Sequence, residues 1–407
     1  MKVLYVVPYA PNLIRVRPYN LIRELSRRGH QITLATLWTD ESERNEIDLL
    51  GEELYQLEAT YLSRWRSYWN CLAALPTRTP LQAVYCWEPV LASRMDILLD
   101  HPSTLGGFDI VHVEHLRGAR YGLRIRQRYP DIPVVWDSVD CISLLFQQAA
   151  GHSKRKVSRL ISSFELQRNH AYEGWLPGQF HHTLVTSQLD LQAFRDLIKQ
   201  NGHTPRISVL PNGVDLDYFQ PDETRQRQAD TLVISGKMSY HANVTMVLYF
   251  VEQILPRIQA ARPEVRLWVV GKDPAREIQA LGNRSDIVVT GTVDDLRPYL
   301  QQATVAVSPV IYGAGIQNKV LEAMACGTPV VSTPQAVSAL NIRAGEDVLI
   351  GQDPDDFAKL VINLLADPNY QREIGQAGLR YVENFHHWSA IAARLEGIYY
   401  EAVRNKQ

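Results

Sequence analysis

The sequence predicts an α/β protein made of two doubly wound halves, each a parallel sheet with helices on both faces. Three observations carry this. The chain is 407 residues long, roughly twice what one ordinary domain of about 100–200 residues holds. Short apolar runs alternate with helical patterns along it, the order that βαβ units require. The alternation occurs twice, on either side of Pro211-Asn-Gly-Val-Asp-Leu-Asp-Tyr-Phe-Gln-Pro221, where proline and Asn-Gly interrupt any regular period.

In the first half, residues 2–7, 31–37, 109–113, 133–136 and 183–186 read as strands. Their side chains are apolar at successive positions, which suits strands buried on both faces. Residues 18–28 carry Leu21, Ile22 and Leu25 with Gly29 as the stop, the pattern of a crossover helix. The second half repeats the plan with strands at 232–235, 266–270, 287–289, 304–307 and 330–331, and helices at 244–258 and 315–325. The tail, 353–366 and 369–403, is helical, its last piece starting at Phe385-His-His-Trp388. The expected organisation is a first domain over 1–208, a linker over 209–221, a second domain over 222–384 and a terminal helix over 385–407.

Composition narrows the function classes. A hydrophobic content of 45%, a charged content of 21% and a net charge of −2 describe an ordinary globular chain with no electrostatic bias toward nucleic acid. Cys71, Cys86, Cys141 and Cys326 form no Cys-x-x-Cys pair, so neither a zinc knuckle nor a disulfide framework is expected and a reducing cytoplasm fits. The apolar start ends at Pro8, and no run approaches the roughly 18 apolar residues of a membrane span. Two stretches mix basic with aromatic or apolar residues, Tyr61-Leu-Ser-Arg-Trp-Arg-Ser-Tyr-Trp69 and Gly151-His-Ser-Lys-Arg-Lys-Val-Ser-Arg159. They suit either a solvated basic face or peripheral contact with an anionic membrane surface, here the inner face of the cell membrane.

The most informative segment is Gly313-Ala-Gly-Ile-Gln-Asn-Lys-Val-Leu-Glu-Ala-Met-Ala-Cys-Gly-Thr-Pro329. Glycines at 313 and 315 let backbone approach an anion, and the helix start that follows offers free N–H groups and the positive end of a dipole. Lys319 adds a full charge. Glu322 lies on the same helical side, where a carboxylate accepts hydrogen bonds from vicinal sugar hydroxyls. Together these suggest a nucleotide diphosphate; the alternative is a packing or capping device. The segment resembles the donor-binding motif of retaining GT-B glycosyltransferases of the family 4 type, which read Glu-Gly-Phe-Gly, a short apolar run, then Leu-Glu-Ala-Met-Ala-Cys-Gly-Thr-Pro. Residues 321–329 match, whereas Ala314 stands where the family has its first glutamate. Pro-Asn-Gly-Val-Asp at 211–215 is similar to the family's interdomain crossing, and Trp388 fits the aromatic at the start of its last helix.

That resemblance implies a GT-B fold: two Rossmann-like domains facing a cleft, with the C-terminal helix crossing back to the N-terminal domain. It implies a retaining hexosyltransferase that moves sugar from a nucleotide-diphosphate sugar to a saccharide or lipid-linked acceptor, without a metal or other cofactor, in cell-surface or exopolysaccharide synthesis. Implied donor contacts are Lys237, Gly315, Ile316, Gln317, Lys319 and Glu322, with Thr292 and Val293. Lys237 occupies a place where relatives usually have arginine, and Ala242-Asn243 replaces a further lysine, so one expected charge is missing; Lys237 also reads as a solvated loop lysine. Catalytic candidates are His112, Glu114 and His115 in Asp109-Ile-Val-His-Val-Glu-His115, and Asp140 in Trp136-Asp-Ser-Val-Asp140. Alternation puts His112 and Glu114 on one side of their strand. A lone histidine at a strand end is more often a structural residue than a catalyst, and Asp140 is equally an N-cap for a helix beginning near Cys141. Arg15 and Arg17 stand in a loop that replaces the family's glycine-rich one, as contacts to phosphate or an anionic acceptor, or as helix caps. Asp215-Leu-Asp217 spells the metal motif of GT-A enzymes but sits in the linker, and His386 and His387 project in different directions, so no metal site is expected. A nucleotide-sugar epimerase of the same fold and a non-catalytic nucleotide-sugar binder are the alternatives.

Overall fold

The alternation of strand and helix resolves into two parallel sheets, each in its own unit, in a computed structural model describing residues 1–12, 15–100, 107–152, 156–198, 204–312 and 316–405. One unit is Met1–Pro211 with Trp388–Gln407 and the other is Asn212–His387. The first contains β1 (Lys2–Val7), β2 (Gln31–Trp38), β3 (Gln56–Tyr61), β4 (Ile110–Glu114), β5 (Val134–Val139), β6 (His182–Val185) and β7 (Ile207–Val209). Its spatial order is β3-β2-β1-β4-β5-β6-β7, every pair parallel. Order reverses at β1 and β4, so the loops after these two strands diverge to opposite faces and leave a crevice at their carboxyl ends.

Strand alternation explains why both faces of this sheet are apolar. Leu4, Val6, Val111 and Val113 enter one cluster, while Val3, Tyr5, Val7 and Ile110 enter another on the opposite face. The second face is covered by Leu21, Ile22 and Leu25 of the helix Val16–Arg27 and by Trp388, Ile391, Leu395 and Tyr399 of the helix Trp388–Arg404. The terminal helix is therefore part of the first unit's core. Its Glu396 accepts hydrogen bonds from Arg28 and His30 beside β2.

The second unit contains β8 (Gln228–Ser235), β9 (Arg266–Val270), β10 (Ile287–Gly291), β11 (Ala303–Ser308), β12 (Val330–Ser332) and β13 (Leu349–Ile350), in the order β10-β9-β8-β11-β12-β13. Here the reversal lies at β8 and β11. Residues 212–221, expected as a linker, are built into this unit: Leu216 and Phe219 pack on its core, and Tyr218 donates to Asp295 at 3.1 Å beneath the Arg297 guanidinium.

Several elements differ from the sequence reading for identifiable reasons. β3 is a partly exposed edge strand and β7 and β13 have three and two residues, so none shows a long apolar run. The helix expected over 244–258 is His241–Tyr249, a π-helical turn Phe250–Ile254, then Leu255–Ala261. Pro256 has no N–H to continue the α pattern, and the wider turn absorbs the fault. The tail helix is broken into Pro368–Phe385 and Trp388–Arg404, where His386 bonds the Asn212 carbonyl through Nδ1 at 2.6 Å. No described helix is long and apolar enough to cross a membrane.

Candidate functional site

In the second unit three neighbouring strands end in glycine with positive φ: Gly236 after β8 (φ +146°), Gly271 after β9 (+150°) and Gly291 at the end of β10 (+69°). Their backbones bond one another, Gly236 N–H to Val270 O at 3.1 Å and Gly271 N–H to Gly291 O at 3.3 Å. A Cβ on Gly271 would lie 1.8 Å from Gly236 O, so only glycine permits this approach. At β8, β9 and β10 the carboxyl edge of the sheet is thus a glycine ledge where backbone is bare of side chains. The sequence pattern alone does not single out these glycines, although each stands at the end of an apolar strand.

Across the switch point, the helix Asn318–Ala325 begins at Gln317 with no side-chain cap, leaving its first amides to other acceptors. Lys319 leans from this helix toward the ledge: its Cε is 3.4 Å from where a Gly236 Cβ would stand, and its Nζ donates to Gln317 Oε1 at 2.9 Å. Burial lowers the Lys319 ammonium to about 8, against the pull of Glu322. Burial likewise raises Glu322 to about 7, against the pull of Lys319. A half-buried lysine and glutamate with shifted protonation on one helix are an arrangement that marks binding sites. Gly327 (φ +66°) closes the helix, and Arg227 clamps its end by donating to Gly327 O and Ala303 O.

The other donor candidates divide. Ile316 and Val293 pack in one apolar cluster with Val320 and Leu321, so the structure brings them together. Lys237 is exposed after Gly236, its carbonyl fixed by Asn243 Nδ2 at 2.9 Å. Asn243, at the position of the missing lysine, is thus a loop brace. Thr292 and Val293 also line a cavity of about 640 Å³ with Trp268, Asp295 and Tyr299, and none of Lys237, Lys319 or Glu322 reaches it. We therefore place the charged chemistry at the ledge. Gly313, Ala314 and Gly315 lie outside the described residues.

In the first unit the strand ends converge on a buried polar cluster. His112 stacks on Tyr5 with ring centroids 4.1 Å apart and bonds the Tyr399 hydroxyl through Nδ1 at 2.8 Å. Tyr9 donates to Glu114 Oε1 at 2.7 Å. Arg17 Nε and Nη2 donate to Asp137 Oδ2 at 2.8 and 2.7 Å, and its Nη1 donates to Pro211 O. Burial lowers His112 to about 4 and raises Glu114 to about 8, the latter helped by the Asp137 charge. Both are neutral near pH 7 and closed off from solvent.

These contacts correct several expectations. Arg17 is not turned toward a phosphate, because the buried Asp137 carboxylate takes its fork. Arg15 is held by Glu43 at 2.9 Å and lies over the Tyr9 ring. Asp140 does not cap the helix Ile142–His152; the amides of Cys141, Ile142 and Ser143 are satisfied by Asp190 and Glu173. Asp140 instead accepts from Thr186 Oγ1 at 3.3 Å, and burial with the neighbouring Asp190 pushes it up. His115 is half-buried, lowered to about 3 by burial, and accepts the Arg117 amide at 3.2 Å. His115 (φ +63°) and Val139 (+67°) occupy the left-handed region at the ends of adjacent β4 and β5, a strain that such side chains adopt at functional edges. Asp215 accepts the amides of Asp217 and Tyr218 as a turn, and among the described residues no cluster of histidine, cysteine or carboxylates suits a metal.

Comparison with known proteins places this geometry. A profile described as Glycosyltransferase Family 4 matches residues 15–218, half of the chain, and one described as Glycosyl transferases group 1 matches residues 229–367. A D-inositol 3-phosphate glycosyltransferase of Catenulispora acidiphila is 27% identical over 237 residues, 53% of this chain and 55% of that protein. An MMP alpha-(1->4)-mannosyltransferase of Mycolicibacterium hassiacum is 30% identical over 210 residues, 49% of each chain. The matches span about half the length of these relatives. Sucrose-phosphate synthase from Thermosynechococcus elongatus has the same fold with a TM-score of 0.72 at 18% identity, covering 98% of both chains. Anabaena HepE, solved with UDP and glucose, gives 0.67 at 14% identity, covering 98% of this chain and 99% of that one. The fold is GT-B.

Proposed function

The chain belongs to glycosyltransferase family 4, and on that premise we propose that it transfers a hexose from a nucleotide-diphosphate sugar to a saccharide or lipid-linked acceptor, with retention at the anomeric carbon and without a metal. The observation that carries this is Lys319, its Nζ held by Gln317 Oε1 beside the glycine ledge, with Glu322 one turn further along the same half-buried helix face. The diphosphate lies along the ledge, where the Lys319 ammonium and the amides that open the helix Asn318–Ala325 meet its charge. Glu322 accepts hydrogen bonds from the ribose hydroxyls. The bond from the anomeric carbon to the diphosphate oxygen breaks with its electron pair on the diphosphate. The acceptor oxygen bonds the same face of that carbon, and its proton passes to the departing phosphate oxygen.

The first unit supplies the acceptor side. His115 and Asp140, half-buried at the ends of β4 and β5, are the groups we assign to contact substrate. His112 and Glu114 are positioning residues, since their side chains are closed within the cluster of Tyr5, Tyr9 and Tyr399. HepE solved with UDP-glucose and the mannosyltransferase relative support a nucleotide-sugar donor and a saccharide product, and we propose that this product serves cell-surface or exopolysaccharide synthesis at the cytoplasmic side of the membrane.

A thermal-shift screen across UDP-, GDP-, ADP- and dTDP-sugars identifies the donor, because a ligand that binds only the folded protein raises its apparent stability. Glu322→Ala should weaken the nucleotide so identified by about tenfold or more, and turnover should persist in excess chelator. Unchanged affinity in the variant, or consumption of donor into an epimer with no acceptor present, overturns the reading.

A further inference from the structure

The helix Arg64–Ala74 is amphipathic in the wrong direction for a helix packed on a globular core. Trp65, Tyr68, Trp69 and Leu72 fall at i, i+3, i+4 and i+7, one continuous face. Their exposures are 75%, 61%, 64% and 55%. The residues turned inward are Ser67 and Ala74, 2% and 5% exposed, and Asn70, which donates to the Trp87 carbonyl at 2.8 Å. The helix thus presents its apolar face to solvent and packs through small and polar groups. Tyr61 before it and Leu75 after it are also exposed, so the face continues beyond both ends.

This face is held in place. Ser63 caps the helix by accepting the Arg66 amide at 3.1 Å. At the other end Arg168 donates to the carbonyls of Ala74 and Leu75 at 2.6 and 3.1 Å and also to that of Thr77, and its guanidinium covers Phe164, itself exposed.

Charge selects the occupant. Between Glu58 and Glu88 the sequence has no acidic residue, while Arg64 in the helix and Arg78 in the turn after it are exposed, as is Arg66, whose Nε lies 3.5 Å from Glu88. At about 150–250 Å² per aromatic side chain, the face offers roughly 600 Å². That falls short of the approximately 800 Å² per partner that a stable protein pair buries. Tryptophan and tyrosine settle at the boundary between headgroups and acyl chains, and guanidinium groups bind lipid phosphates. We propose that this face docks the first unit onto a membrane surface carrying anionic lipid. Nucleotide binding is carried by residues of the second unit, so this inference and the donor reading fail separately.

The test is co-sedimentation of the full chain with phosphatidylcholine vesicles made with and without phosphatidylglycerol. The protein should bind the phosphatidylglycerol vesicles, release with added salt, and show a blue shift of tryptophan emission when bound. Trp65→Ser with Trp69→Ser should weaken binding by at least about tenfold, and Arg64→Gln with Arg66→Gln and Arg78→Gln should flatten the salt dependence, each with unchanged circular dichroism. If wild-type protein stays in solution with phosphatidylglycerol vesicles, or the tryptophan variant binds them equally well, the proposal is overturned. It is also overturned if light scattering shows, without vesicles, a dimer that the tryptophan variant abolishes, since the face then pairs two copies.

Discussion

Replacing Lys319 by methionine should make the free protein more stable while weakening its hold on nucleotide. Methionine keeps an apolar stem of similar reach and removes the charge. The fall of Lys319 from 10.5 to about 8 corresponds to about 3 kcal/mol against the charged form in the folded state. The side chain is only half-buried, and removing it frees Glu322 to protonate fully at neutral pH, so the net gain is about 1–3 kcal/mol. The sign follows from linkage. A lysine depressed on folding penalises the protein below its folded value, and the penalty is relieved as pH rises from about 8 toward 10.5. The variant's advantage in urea unfolding should therefore be complete at pH 7 and shrink steadily above pH 8. In calorimetry its affinity for nucleoside diphosphate should drop about 10–150-fold, the loss of one charge-assisted contact of about 1.5–3 kcal/mol. A variant less stable than wild type at pH 7, with unchanged nucleotide affinity, would refute the assignment of Lys319 to the diphosphate.

Two further outcomes concern the first unit. Arg17→Met strands the buried Asp137 carboxylate, so chemical denaturation should show a loss of about 3–5 kcal/mol, with nucleotide affinity unchanged; a neutral effect on stability means the fork is not structural. Glu114 is raised from 4.5 to about 8 on folding, so it lowers stability progressively as pH climbs between those values. Glu114→Gln removes that dependence, and its stability relative to wild type should rise between pH 5 and pH 8; a constant difference across this range is the contrary result.

How much of this was legible in the sequence depended on whether the signal was local. β1 and β9 match residues 2–7 and 266–270 because in each one basic residue leads straight into an unbroken apolar run. The Lys319 and Glu322 pair was legible because one helix spaces it. For Arg17 the sequence offers only a phosphate or acceptor contact or a helix cap, because its partner Asp137 lies 120 residues away, and a register between two strands and a helix is not written in any window. The same holds for Tyr399, which meets His112 across 287 residues. Glycines 236, 271 and 291 fell between these cases: each is visible after its strand, but the need for glycine arises only when three strand ends touch.

The terminal helix carries a consequence for biogenesis. Trp388, Ile391, Leu395 and Tyr399 complete a core whose other walls are β1, β2 and the helix Val16–Arg27, yet all of the second unit is synthesised before them. A nascent chain can finish its second unit while the first still exposes one apolar sheet face to the ribosome's surroundings. Ending translation early would accordingly injure the half that was made first and spare the half that was made last.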